Sequence, residues 1–275
     1  MRKIIAVVPT YNSADLVHER VAQLKESSFA SIIVCDDKSD DNTVERLSRQ
    51  YNDSIKLIAG QDNIGPGGNR NRILDIDIDS SDFLFFIDAD CELVYKQDLT
   101  TLVAASFTRQ DIGVVGFSIC NKDDSLMSWN YGELMHPVHE AADQRLEEML
   151  NEGQINREQF IVGAPARAAS FRFLPEPEPK EVGWVAEGCF AVRTELFNSI
   201  RGFATQMRYH ETHDFNARVQ ENGYTTVFNP TLVARHLAHD SRMQRRVEDI
   251  RAGRLYYYQT HWGMSEEVFA RLFDE

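Results

Sequence analysis

The run Phe83-Leu84-Phe85-Phe86-Ile87-Asp88-Ala89-Asp90 constrains the fold more than any other stretch of the chain. Five apolar residues of high strand propensity, with no alternation, describe a central strand covered on both faces. The run then breaks into two carboxylates one residue apart. In such sheets ligands collect beyond the carboxyl ends of the strands. Alternate side chains of an extended chain point the same way, so Asp88 and Asp90 can address one ion or one diphosphate. Magnesium and manganese take oxygen ligands and are commonly shared between carboxylates and substrate phosphates. An isolated Asp-x-Asp is more often a polar turn; the buried strand ahead of it favours the ligand role.

Further strands end the same way. Ile4-Ile5-Ala6-Val7-Val8 is expected to be a first buried strand, stopped by Pro9 and followed by the loop Thr10-Tyr11-Asn12-Ser13. Asn12 or Ser13 can cap a helix running to about Lys25. Ser31-Ile32-Ile33-Val34-Cys35 forms a second strand ending in Asp36-Asp37, and a polar turn leads to a helix ending near Tyr51. Ile55 to Ile58 is a third strand, and Asn63 to Arg72 is a glycine-bearing loop running into a helix. Strand and helix in regular succession predict a doubly wound, mostly parallel sheet.

Composition excludes several function classes. The 275 residues carry a net charge of −14, which speaks against nonspecific nucleic-acid binding. No apolar run approaches the roughly 20 residues of a spanning helix. The start leads into a strand pattern without a signal-peptide core. Four scattered cysteines lack metal-ligand spacing, and free thiols in a reducing cytoplasm are expected.

The glycine loop is not a dinucleotide fingerprint. Gly65-Pro66-Gly67 supplies two glycines, but Arg70 holds the third position, and the fingerprint belongs after the first strand. A glycine-rich approach of backbone to phosphate, with Arg70 as a cationic fork for a diphosphate, uses these residues better.

Taken together, Val8-Pro9-Thr10-Tyr11-Asn12, Val34 to Ser39 with Asp41-Asn42-Thr43, Asn63-x-Gly65 through Arg70-Asn71, and Asp88-Ala89-Asp90 resemble the ordered signature of family-2 glycosyltransferases of the GT-A fold. The likeness is close over about the first hundred residues and looser through Gly188 to Arg193, Gly202-Phe203 and Gly223-Tyr224. It implies that the Pro9-Thr10-Tyr11-Asn12 loop and Asp37 hold the nucleotide base, with Tyr11 and Asp37 foremost. Asn63, Gly65, Arg70, Asp88 and Ala89 complete the nucleotide-sugar site, and Asp88 and Asp90 carry ribose and metal, Asp90 being the more direct ligand. His236 stands where some members place a histidine on the metal.

The resemblance also implies an acceptor side at Glu187 and Gly188. Members commonly carry Glu-Asp near the start of the following helix, with the Asp as base. Counting back from Gly223-Tyr224 puts that pair on Glu211 and Thr212, so the base falls to Glu211 or Asp214, three apart on one helical face. His210 and His213 beside them read as packing histidines before metal ligands.

The remaining segments are less legible. Val114 to Ile119 suggests another strand, and Glu140 to Glu152 a charged helix with a solvated face. Pro175-Glu176-Pro177-Glu178-Pro179 reads as an extended loop, a lid or a plain connector. Arg242, Arg245, Arg246, Arg251 and Arg254 with Tyr256-Tyr257-Tyr258 fit either a membrane-surface contact through 241–262 or a helix whose aromatics pack on the sheet.

The expected organisation is a GT-A domain over 1–240, with a nucleotide-sugar half (1–120) and an acceptor half (121–240), and a helical extension over 241–275. The expected activity is metal-dependent (Mn2+ or Mg2+), inverting transfer from a nucleotide-diphosphate sugar to a glycan or lipid-linked hydroxyl. The expected location is cytoplasmic, with or without peripheral membrane contact. A sugar-nucleotide-binding scaffold without activity and a nucleotidyltransferase of similar fold are the alternatives.

Overall fold

The structure is a computed structural model that describes residues 2–80, 82–94, 98–125, 127, 130–163, 178–208, 210–237 and 247–274. Its centre is a mixed sheet built on the phenylalanine-rich strand. The strands are β1 (Ile4–Thr10), β2 (Ser31–Asp36), β3 (Lys56–Ala59), β4 (Phe83–Ile87), β5 (Cys91–Leu93), β6 (Ile112–Cys120), β7 (Tyr131–Gly132), β8 (Lys180–Val182), β9 (Trp184–Val185), β10 (Cys189–Arg193) and β11 (Thr225–His236). Their order is β3-β2-β1-β4-β10-β6-β11-β5, with β8 also on β11 and β7-β9 a separate pair. β1, β2, β3 and β4 are parallel, and so are β6 and β11; β10 runs antiparallel between β4 and β6.

The unbroken apolar run has its expected physical cause. Phe83, Phe85 and Ile87 enter one core cluster, Leu84 and Phe86 the other, so each face of β4 is covered. β1 divides in the same way, with Ile4, Ala6 and Val8 on one side and Ile5 and Val7 on the other. Each buried side chain of this size contributes about 1.5–3 kcal/mol. The helices that cover the faces are α1 (Ala14–Leu24), α2 (Thr43–Tyr51), α3 (Gly65–Asn71), α4 (Leu99–Ser106), α5 (Pro137–Asn151), α6 (Arg157–Gly163), α7 (Thr194–Ser199), α8 (Glu211–Glu221), α9 (Val247–Trp262) and α10 (Glu266–Phe273).

Pro9 does not stop β1. The strand runs on to Thr10, paired with Asp36 of β2. Pairing with β4 ends at Val7, and the backbone groups of Ile4 and Thr10 face β2. Pro9 therefore faces the β4 side beyond the last pair, where an N–H has no ladder partner to lose.

The two halves of the chain share one sheet, because β10 inserts between β4 and β6. The C-terminal helices form a third apolar cluster in which Tyr257, Tyr258, Phe269 and Phe273 pack with Met135 and Met207. Arg254 pairs with Glu140 at 3.1 Å and Arg251 with Asp274 at 2.7 Å. Those aromatics thus pack against protein, and both arginines are ion-paired within the chain, while Trp262 is 43% exposed. Arg242, Arg245 and Arg246 lie outside the described residues, as do Tyr209 and Pro175-Glu176-Pro177. No helix among the described residues is long and apolar enough to cross a membrane.

Candidate active site

Three loops at the carboxyl ends of β1, β2 and β3 are laced together by hydrogen bonds. Asp37 N–H donates to the Thr10 carbonyl at 2.9 Å. Asn12, at a left-handed φ of 46°, donates its N–H to Ser39 Oγ and accepts from Asp40 N–H, both at 2.8 Å. Asparagine tolerates that region better than most residues. Tyr11 is left 38% exposed at the mouth, while Thr10 is buried.

Asp37 is buried and already engaged. Its carboxylate accepts from Ile64 N–H at 3.0 Å, Gly65 N–H at 2.9 Å and Arg72 Nη2 at 3.0 Å. An ionised carboxylate has about four acceptor positions, and these three bonds use most of them. Asn63 Nδ2 donates to the Asp37 carbonyl at 3.3 Å.

These contacts give the glycine loop a structural task of its own. The Gly65 amide serves Asp37, with φ of +82°. A Cβ on Gly67 would lie 3.1 Å from Phe203 Cβ, so this glycine answers a packing need. α3 is tied down further by Asn69, whose Nδ2 donates to the Cys35 carbonyl at 2.8 Å, and by Asn71, which exchanges two bonds with the Phe203 backbone at 2.7 and 2.8 Å.

Arg70 is not an open fork. It is 2% exposed, its Nη2 lies 2.5 Å from Asp88 Oδ1 and 3.3 Å from the Glu187 carbonyl, and its guanidinium lies over the Phe203 ring at 5.6 Å. Burial pushes the Asp88 carboxyl above the usual range, Arg70 pulls against it, and Asp90 and Glu187 add to the rise. Asp88, Glu187 and Glu211 together hold the Arg70 guanidinium charged against its own burial. An exposed cation, Arg208, stands beside Gly65, its Nε 3.8 Å from where a Cβ would be. No motif marks that arginine.

The turn after β4 explains how a distant histidine arrives. Asp88 N–H donates to the Gly188 carbonyl, Cys91 N–H to the Asp88 carbonyl, and Leu237 N–H to the Asp90 carbonyl, at 3.0, 2.9 and 2.8 Å. β5 then pairs with the end of β11, His236 opposite Cys91. His236 Nε2 consequently lies 3.5 Å from Asp90 Oδ2. Among the described residues no three His, Cys, Asp or Glu side chains converge as a self-sufficient metal cage. The donor set fits a cation held by Asp90 and His236 and completed by phosphate oxygens, with Asp88 committed to Arg70. Ala89 is buried between the two aspartates.

The edge expected to face the acceptor is formed by β9, β10 and α8. A Cβ on Gly188 would touch Ile119 at 3.0 Å and come within 3.9 Å of Asp88 Oδ2. Thr212 Oγ1 donates to Glu187, which joins α8 to the strand end. Glu211 is 3% exposed and lies within the field of Arg70. Asp214 is turned to other partners: Arg218 Nε and Nη2 at 2.9 and 2.6 Å, and His261 Nε2 at 3.0 Å. His213 packs on Trp184 at 4.7 Å, and burial lowers its pKa to about 3. A cavity of about 690 Å³ lined by Gln220, Tyr224 and Trp262 lies toward the other end of α8.

All four cysteines are free and buried. Burial pushes the Cys35 thiol up to about 12.

Comparison with known proteins fits this architecture. Residues 5–176 match the profile of glycosyl transferase family 2. The chain belongs to glycosyl transferase family 2. Over 100 residues this family-2 chain is 36% identical to the GalNAc(5)-diNAcBac-PP-undecaprenol beta-1,3-glucosyltransferase of Campylobacter jejuni, covering 34% of the chain and 31% of that protein. Over 95 residues it is 32% identical to the poly(ribitol-phosphate) beta-glucosyltransferase of Bacillus spizizenii, covering 32% of the chain and 15% of that protein. The matched stretch thus spans under a third of the length of either curated relative.

Among solved structures, the fold resembles the mannosyltransferase PcManGT of Pyrobaculum calidifontis in complex with GDP-Man and Mn2+ (TM-score 0.56, 16% identity, 96% of this chain and 64% of that one). It also resembles TarS of S. aureus in complex with UDP-GlcNAc (TM-score 0.58, 17% identity, 98% of this chain and 70% of that one). At such identities the likeness establishes the GT-A fold and nothing finer.

Proposed function

We propose that this family-2 protein transfers a sugar from a nucleotide-diphosphate donor to a hydroxyl acceptor, with inversion at the anomeric carbon. One observation carries the reading: Asp88, Arg70, Glu187, Thr212 and Glu211, from four separate segments, meet at the carboxyl edge of β4, with Asp90 and His236 alongside. Tyr11 covers the base and Asp37 accepts from a base N–H. Asp88, oriented by Arg70, faces the ribose. Asp90 and His236 hold a divalent cation, Mn2+ or Mg2+, which offsets charge on the departing diphosphate when bound. Arg208 takes the exposed cationic role that the buried Arg70 cannot fill. The structural relatives bound to GDP-Man with Mn2+ and to UDP-GlcNAc support a nucleotide-sugar donor.

The acceptor hydroxyl enters along Glu187 and Gly188. Glu211 takes its proton as the oxygen bonds to the anomeric carbon, and the bond from that carbon to the diphosphate oxygen breaks on the opposite face. Glu211 suits the role better than Asp214, whose carboxylate is held by Arg218 and His261. The names of both curated relatives carry phosphate-containing chains, PP-undecaprenol in one and poly(ribitol-phosphate) in the other. They support a lipid-linked or polymeric glycan precursor as the acceptor of this chain.

The test measures nucleoside diphosphate released from UDP- and GDP-sugars, with manganese or with chelator, for the parent, Asp90→Asn and Glu211→Gln. Asp90→Asn is expected to lose donor binding. Glu211→Gln is expected to keep it and lose transfer by about 10² to 10⁴. Full turnover in chelator, or transfer by Glu211→Gln at the parent rate, would refute the corresponding assignment.

A further inference from the structure

We propose that Glu140, on α5, is a positioning residue that sets the direction of the base Glu211 through His210. The inference rests on the transfer reading above. The sequence presents Glu140 as one charge on a solvated helix, yet it is 6% exposed. Its carboxylate is shared by three partners from two other elements. His210 Nε2 lies 3.1 Å from one oxygen and 3.2 Å from the other. Tyr258 donates its hydroxyl at 2.6 Å and Arg254 its Nε at 3.1 Å. Those contacts hold the carboxyl well below the usual carboxylate range, although its burial acts in the opposite direction.

His210 is the residue that needs holding. It is buried, its φ is 64°, and it stands immediately before the first residue of α8, which is Glu211. A side-chain-bearing residue in the left-handed region persists only where its surroundings over-determine it. Here the ring is pinned by Glu140 on one side and approaches His213 Nδ1 at 3.4 Å on the other. The His210 carbonyl accepts from Asp214 N–H at 2.9 Å and so begins the helix. Because φ and ψ of His210 fix where the next Cα–Cβ bond points, the Glu140 clamp decides whether the Glu211 carboxylate faces Arg70 and the acceptor or turns away. α9 takes part through Arg254 and Tyr258, which gives the C-terminal helices a role in the chemistry without contact to substrate.

The experiment compares Glu140→Gln, which keeps size and removes charge, with Glu140→Gln carrying His210→Asn. Asparagine adopts the left-handed region without a clamp. Calorimetry with UDP and GDP in manganese, transfer kinetics and melting are measured on each. Glu140→Gln is expected to keep nucleotide affinity and donor KM within about twofold while kcat falls about 10- to 100-fold, the effect of a reacting group displaced by about 1 Å. His210→Asn is expected to restore kcat about tenfold or more in that background without restoring the melting temperature. Tyr258→Phe, which removes a single contact to Glu140, is expected to lower kcat about threefold to tenfold, and it carries the test if Glu140→Gln does not fold.

Parent kcat in folded Glu140→Gln overturns the inference, as does equal loss of affinity and turnover, or the absence of rescue. If Glu211→Gln itself transfers at the parent rate, the base assignment fails and the inference fails with it. With Glu211→Gln inactive and Glu140→Gln unaffected, this inference alone fails.

Discussion

Asp214→Asn is expected to weaken the fold and leave the chemistry working. The Asp214 carboxylate is 1% exposed, with Arg218 bonded to one oxygen and His261 to the other. The substitution replaces one acceptor with an NH2 donor that confronts a donor. Removing one partner of a buried ion pair typically costs about 3–5 kcal/mol. Two features reduce that here. Arg218 keeps its bonds to the Ile200 and Gly202 carbonyls at 2.7 and 2.8 Å, and its side chain is 21% exposed. His261 can release its proton. The expectation is then about 2–3 kcal/mol, or a melting temperature lower by about 4–12 °C at roughly 2–4 °C per kcal/mol.

The loss should depend on pH. Burial pulls the His261 pKa down, but the Asp214 and Glu221 carboxylates outweigh it and hold the imidazole above its usual value. A raised folded pKa stabilises fully below the unfolded value of about 6.5 and fades as pH rises through the folded one. Burial likewise acts to raise the Asp214 pKa, but His261 and Arg218 outweigh it and lower it. Its stabilisation is present above about pH 3.9 and is lost as pH falls through the folded value. The gap between parent and variant is therefore widest from about pH 4 to 6.5 and narrows above that range. Thermal melts from pH 5 to 9 at constant ionic strength, with transfer assayed well below the melting temperature, measure both effects. An unchanged melting temperature with transfer abolished would place Asp214 in the chemistry and refute the argument.

Two further outcomes are expected. Asp37→Ala removes a carboxylate that anchors the start of α3, and calorimetry should show nucleoside-diphosphate affinity falling about ten- to a hundredfold, equivalent to about 1.5–3 kcal/mol; unchanged affinity would remove Asp37 from the base site. Gly202→Ala puts a side chain at φ of +63° with its Cβ 2.1 Å from Asn71 Oδ1, so denaturant titration should show a loss of about 2–4 kcal/mol from backbone strain and overpacking, and a midpoint equal to the parent's would contradict the lock between Asn71 and Phe203.

Much of the fold is determined locally, and that part is legible in the residues alone. Period and composition mark β1, β2, β4 and β6 because a strand covered on both faces must be apolar at every position, whatever its partners. The abrupt change to Asp36-Asp37 and Asp88-Ala89-Asp90 marks strand ends, and strand ends of a doubly wound sheet are where ligands gather. What the residues alone did not determine is which polar groups face one another. Arg70 reads as a fork for phosphate until Phe203 and Asp88 are seen to enclose it. Gly67 reads as a phosphate contact until Phe203 is seen to occupy the space. Glu140 reads as a solvated charge until α9 closes over it. His236 meets Asp90 because β5 folds back onto the end of β11, a pairing between segments 143 residues apart at Glu92 and Arg235. Such contacts depend on long-range packing, and no local propensity encodes them: a charged side chain has the same intrinsic preference whether the element that will cover it lies four residues away or a hundred.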